Sequence, residues 1–238
     1  MFKPPEETPF IDDPEGARVS GTLSYWKNVE SDFLAEPRTV AIWLPPGYED
    51  DPDKRYRVIY ITDGENILDP RIASWGVDWG VDEAMMRGAE KGSFEPAIVV
   101  GAWSSSQRRD EYSPWHDASK YARFLTEELM PRINREFRTL TGPENTFAMG
   151  SSMGGLLSYY LVKNHPNAFS ACGCMSTHFA FSETNIRDIR RNDVDSPDPT
   201  PFIIKDIAGG DTVPAGARLF FDYGTETLDS SYEEDHEP

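Results

Sequence analysis

The run Thr146-Phe147-Ala148-Met149-Gly150-Ser151-Ser152-Met153-Gly154-Gly155, followed by Leu156-Leu157-Ser158-Tyr159-Tyr160-Leu161-Val162, constrains the fold more than any other stretch. It sets Gly150-x-Ser152-x-Gly154 between a strand-like apolar segment and one with helical character. A strand that turns sharply into a helix leaves the residue at the bend exposed, and here that residue is a serine. A Cβ at the flanking positions would obstruct the turn and the close packing of helix on sheet, so glycines belong there. Taken alone, the pattern occurs in many loops. With a strand before it, a helix after it and a third glycine at Gly155, it predicts a nucleophile elbow. The competing reading is a Gly/Ser-rich turn between two buried elements.

Elsewhere short apolar runs alternate with helix-like ones. Strands are predicted at 38–44, 56–62, 97–103, 169–175 and 217–223, the first stopped by Pro45-Pro46-Gly47 and the second by Asp63-Gly64. A helix is predicted over 77–90. A longer one runs from Asp117, read as its cap, to about Phe137; its Tyr121, Phe124, Leu125, Leu129 and Ile133 recur at three- and four-residue spacing. Residues 1–21 are Pro- and acid-rich and read as an irregular arm, and 182–216 as a polar surface excursion. The rest, 22–238, reads as one α/β domain with a mostly parallel sheet covered by helices on both faces. In such sheets function gathers at the carboxyl ends of the strands. Ser152, Asp63-Gly64, the Trp103 loop, Thr177-His178 and Tyr223-Gly224-Thr225 all fall at such ends.

Composition narrows the partners. The 238 residues carry a formal net charge of −18, which repels nucleic acid and anionic membrane. No apolar run approaches the roughly 18 residues of a membrane span, and the first residues lack a basic and apolar leader. A cytoplasmic location is the expectation. Cys172 and Cys174 alternate within a predicted strand and are read as small buried apolar residues; half a metal site is the alternative, but no second ligand cluster accompanies it.

A serine hydroxyl needs a base to take its proton, and the base needs an orienting acid. Asp229, after the strand at 217–223, is the first choice for the acid, Glu226 the second; Asp222 lies inside that strand and reads as structural. None of the four histidines is well placed for the base. His165 reads as the C-terminal cap of the elbow helix and His116 as a surface or capping residue. His178 reads as a substrate contact or a satisfied loop residue. His236 follows Asp229, but too closely for the usual intervening helix and strand. An oxyanion also needs donors. The Met153 N–H, directly after the serine, supplies one, and the Glu65 N–H the second, with Gly64 relaxing the backbone; a plain Asp-Gly turn is the alternative there.

Several motifs occur in order: Val40-Ala41-Ile42-Trp43-Leu44-Pro45-Pro46-Gly47-Tyr48; Tyr56-Arg57-Val58-Ile59-Tyr60-Ile61-Thr62-Asp63-Gly64-Glu65-Asn66; Arg108-Arg109-Asp110-Glu111-Tyr112-Ser113-Pro114; the elbow; and Asp222-Tyr223-Gly224-Thr225-Glu226. Together, over about 38–232, they resemble the esterase family of α/β-hydrolases that groups enterochelin-esterase-like proteins, feruloyl and acetyl-xylan esterases, S-formylglutathione hydrolases and mycolyltransferases. The resemblance implies an α/β-hydrolase fold and cofactor-independent cleavage of a small-molecule carboxylic ester or thioester through an acyl-serine. Ser152 would be the nucleophile, Met153 and Glu65 the oxyanion hole and Asp229 the acid. Family members continue past the acid through a helix and a final strand to a loop carrying the base, and Thr227 stands where their aspartate often does. The chain is therefore expected to be a C-terminally incomplete copy, with the base, last helix and last strand beyond Pro238. An acyltransferase using the same acyl-enzyme, or a non-catalytic binding module lacking the base, are the alternatives. Trp75, Trp79, Trp103 and Trp115 are candidates to stack a sugar or aryl group, or to pack in the core and rim.

Overall fold

The computed structural model describes residues 7–8, 19–177 and 213–225. Eight strands, β1 (Glu7–Thr8), β2 (Thr22–Val29), β3 (Arg38–Leu44), β4 (Arg57–Thr62), β5 (Ala97–Ala102), β6 (Thr146–Ser151), β7 (Ala171–Met175) and β8 (Arg218–Asp222), form one sheet. Their order is β1-β2-β3-β5-β4-β6-β7-β8. β1, β2, β3 and β5 pair antiparallel, whereas β5-β4-β6-β7-β8 are all parallel. The five parallel strands therefore end on one edge, as the predicted gathering of loops requires.

Alternation along the strands divides the apolar residues between two faces. Val58 and Tyr60 of β4, Ile98 and Val100 of β5 and Val40 and Ile42 of β3 enter the larger core. It is closed by α3 (Ala118–Arg123), a π-helical segment (Phe124–Leu129), α4 (Met130–Glu136) and α5 (Met153–Asn164). Ile61, Val99 and Trp43 enter the smaller core with Met85 of α1 (Val81–Glu90). Helices thus cover both faces of a mostly parallel sheet, and the fold is that of an α/β-hydrolase. Among the described residues no helix is long and apolar enough to cross a membrane.

Several local expectations are corrected. The helix expected over 77–90 starts at Val81, because Asp78 Oδ1 accepts the Gly80 N–H at 2.6 Å and Gly80 takes a left-handed φ of 62°. The long helix forms, with all five of its periodic apolar residues buried, but Phe124–Leu129 widens to a π register just before Pro131. A proline has no N–H and its ring opposes the carbonyl four residues back, so a regular α ladder cannot pass through it. Asp117 stands at the helix start without a side-chain capping bond; its carboxylate pairs instead with Lys120 Nζ at 2.8 Å. The arm expected to be irregular contributes β1, where Glu7 pairs with Trp26. β2 was not expected at all: a register shift between Trp26 and Val29 and a φ of 54° at Asn28 interrupt its two-residue period. Cys172 and Cys174 are free buried thiols, their sulfurs 3.4 Å apart on one face of β7.

Candidate active site

Ser152 sits at the corner between β6 and α5 with φ 57° and ψ −121°. That combination is steeply unfavourable for a residue with a Cβ, costing on the order of 1–3 kcal/mol. It is held from both sides. The Ser152 N–H donates to Met175 O of β7 at 2.9 Å, and the Ser152 carbonyl accepts from the Gly155 N–H at 3.1 Å. The glycines act by allowing contact rather than by adopting positive φ: a Cβ on Gly150 or Gly154 would collide with Thr62 Oγ1 on β4, and one on Gly155 with Thr177 Oγ1. The elbow helix thus lies directly on the ends of its neighbouring strands.

The second wall comes from β4. It ends at Thr62, and Gly64–Asn66 forms a 3-10 turn closed by the Asn66 N–H on Asp63 O at 2.9 Å. Gly64 was expected to loosen the backbone here. Instead Asp63 takes the left-handed conformation, φ 55° and ψ 46°, and Gly64 is required because a Cβ would strike the Gly101 carbonyl of β5. The Glu65 carboxylate accepts the Ser104 N–H at 2.9 Å and the Ser104 hydroxyl, which ties the turn to the loop after β5. β4 and β6 pair in parallel with Ile61 opposite Met149, so Glu65 and Met153 each lie four residues beyond that pair. Each is in the first turn of a helix, where N–H groups have no intrahelical acceptor. Both groups stand at the ends of adjacent parallel strands, on the same edge of the sheet as Ser152.

Behind this wall stands a charged pair that the sequence reading left without a role. Asp63, buried, accepts from Arg108 Nε at 2.5 Å and from Nη2 at 2.8 Å. Arg108 opens α2 (Arg108–Glu111), whose other end is fixed by a buried ion pair between Glu111 and Arg38 of β3. Burial opposes the charge on Arg108, but the hydrogen bond and charge of Asp63 outweigh it and hold the guanidinium above its ordinary pKa. Both partners fall within sequence motifs, 56–66 and 108–114, but nothing in the sequence joins the two.

His165 caps the far end of α5, its N–H on Leu161 O at 2.8 Å. Ser152 caps the near end, and twelve helical residues at about 1.5 Å rise separate them, too far for proton transfer. Burial pushes the His165 imidazole below its ordinary pKa. His116 is exposed between α2 and α3. The Asp222 carbonyl and Oδ1 accept the Ser176 N–H at 2.9 and 3.2 Å, which ties β8 to the end of β7. Asp229, Glu226, His178 and His236 lie outside the described residues. Of the tryptophans, Trp79 packs on the smaller core, Trp115 on the larger, and Trp103 edge-on to Tyr25, while Trp75 is 91% exposed.

Known proteins share the family pattern and the fold. The family model described as "Putative esterase" matches residues 31–212. The chain is similar to the uncharacterized protein YbbA of Bacillus subtilis (strain 168), 24% identical over 61% of this chain and 59% of the relative. It is also similar to an endo-1,4-beta-xylanase/feruloyl esterase of Xylanibacter ruminicola, 26% identical over 65% of this chain and 21% of that protein. Among solved structures, the enterobactin esterase FES from Shigella flexneri superposes with a TM-score of 0.61 at 17% identity, covering 88% of this chain and 47% of that one. The chain thus spans less than two thirds of the length of these relatives. With more than half of its residues matched by the family model, elbow included, the chain belongs to the Putative esterase family.

Proposed function

We propose that this protein hydrolyses a small-molecule carboxylic ester, or thioester, through an acyl-serine intermediate. The observation that carries the proposal is the strained Ser152 at the β6–α5 corner, flanked by two open backbone donors. In this reading Ser152 Oγ attacks the ester carbonyl and its proton passes to a base. The carbonyl electrons move onto oxygen, which the Met153 and Glu65 N–H groups stabilise. Collapse expels the alcohol or thiol and leaves the acyl-serine, and water attacks it by the reverse sequence. Asp229 is assigned as the acid that orients the base. Such a mechanism needs no cofactor. The names of similar proteins, feruloyl esterase and enterobactin esterase, support an ester substrate, and the net charge of −18 disfavours polyanionic partners.

Hydrolysis of p-nitrophenyl acetate by the chain and by Ser152→Ala tests the activity. Turnover above buffer that disappears in Ser152→Ala supports the reading, and equal turnover in the two overturns it. Adding methanol or glycerol to the same assay separates hydrolysis from acyl transfer, because a transferase would form the new ester in preference to the free acid.

A further inference from the structure

The turn that carries the proposed oxyanion donor closes on itself through one backbone bond, Asn66 N–H to Asp63 O at 2.9 Å. Asp63 is a non-glycine residue in the left-handed region, and Gly64 and Glu65 follow it in a single 3-10 turn. Asp63 is further held by side chains that follow β5. Arg108 grips both carboxylate oxygens of Asp63, and the Tyr112 hydroxyl accepts the Asp63 N–H at 3.2 Å. Tyr112 is fully buried, lies under the Arg108 guanidinium at 4.9 Å and packs edge-on against Tyr121 with ring centroids 5.3 Å apart. The same carboxylate lies close to the elbow: Asp63 Oδ2 is 3.4 Å from where a Cβ on Gly154 would stand. Asp63 is therefore gripped by Arg108 and lies beside the first turn of the elbow helix.

We infer that Arg108 is a positioning residue for the oxyanion hole, setting the Glu65 N–H against Ser152 through its two-pronged hold on Asp63. This rests on the reading of Ser152 as nucleophile and Glu65 as donor. A guanidinium suits the task because its planar fork fixes the carboxylate in both rotation and position, which an ammonium on a flexible stem cannot do. The donor distance matters most when charge develops on oxygen, so loosening the clamp slows the chemical step and leaves the earlier binding step unchanged.

The test is the saturation kinetics of a fluorophosphonate on the full chain, which separate reversible affinity (Ki) from the phosphonylation rate (kinact). For Arg108→Ala, kinact should fall about 10- to 100-fold, somewhat less than the loss of a whole donor, with Ki within about threefold. Arg108→Lys should fall between, and millimolar guanidinium should restore part of the Arg108→Ala rate. Asp63→Asn, which tolerates the left-handed backbone, should slow the step as well, and adding it to Arg108→Ala should cost nothing more because both remove one clamp. This variant and Arg108→Lys also serve if Arg108→Ala does not fold. Unchanged kinact in folded variants that still label at Ser152 would overturn the inference alone, as would a rise in Ki with kinact constant. Labelling that persists in Ser152→Ala, or that never reaches Ser152 in the wild type, would overturn the underlying reading as well.

Discussion

Ser152 keeps a Cβ where only glycine is at ease, and the surrounding hydrogen bonds hold it there. Replacing it with glycine should relieve the strain while removing the hydroxyl. Ser152→Gly is therefore expected to be about 1 kcal/mol more stable than Ser152→Ala, which keeps the Cβ. Denaturant titration of the two variants measures this, and a Ser152→Ala at least as stable as Ser152→Gly would remove strain from the account. Gly154 has the opposite character, since its conformation is ordinary but the space beside it is filled by Thr62. Gly154→Ala should cost about 1–3 kcal/mol through overpacking, and Thr62→Ala should recover much of that loss. Equal penalties in the two backgrounds would mean that the clash lies elsewhere.

Among the elements, α1 carries the clearest pH dependence. Asp82 is buried in its first turn and accepts the Ser20 N–H at 2.7 Å, while Ser20 O receives the Trp43 Nε1–H at 2.5 Å. This latches the entry to β2 against the sheet. A helix N-terminus favours a carboxylate, yet burial, then the neighbouring carboxyl of Glu83, win and raise Asp82 from 3.8 to about 6. Because its folded pKa is the higher one, the contribution of Asp82 to stability is fully present below about pH 4 and is lost as pH rises through about 6. Asp82→Asn keeps an acceptor for Ser20 and cannot titrate. Between pH 5 and pH 7.5 the thermal midpoint of the wild type should fall relative to that of Asp82→Asn; parallel curves would show that the pair does not titrate there.

At the scale of the whole molecule, a net charge of −18 on 238 residues sets up self-repulsion that salt screens. Raising sodium chloride from low concentration to about 0.5 M should lift the thermal midpoint by a few degrees, and a fall would show that favourable ion pairs outweigh the repulsion. The centre of the parallel sheet was legible from the sequence because β4 and β5 are buried almost throughout and read as short apolar runs. On the antiparallel flank β3 was legible, but β2 and β1 were not, since β2 is bulged and half exposed and β1 is two residues long. Ser152 was legible for a local reason: strand, turn, glycines and helix are consecutive. The Asp63–Arg108 clamp joins residues 45 apart in the chain, a pairing that only the β4–β5 register creates. The central claim, that Ser152 is the nucleophile of this site, is tested most directly by peptide mass mapping after exposure to a fluorophosphonate. The account predicts one adduct, on the peptide containing Ser152, and none in Ser152→Ala; an adduct on another residue, or one that survives the substitution, would contradict it.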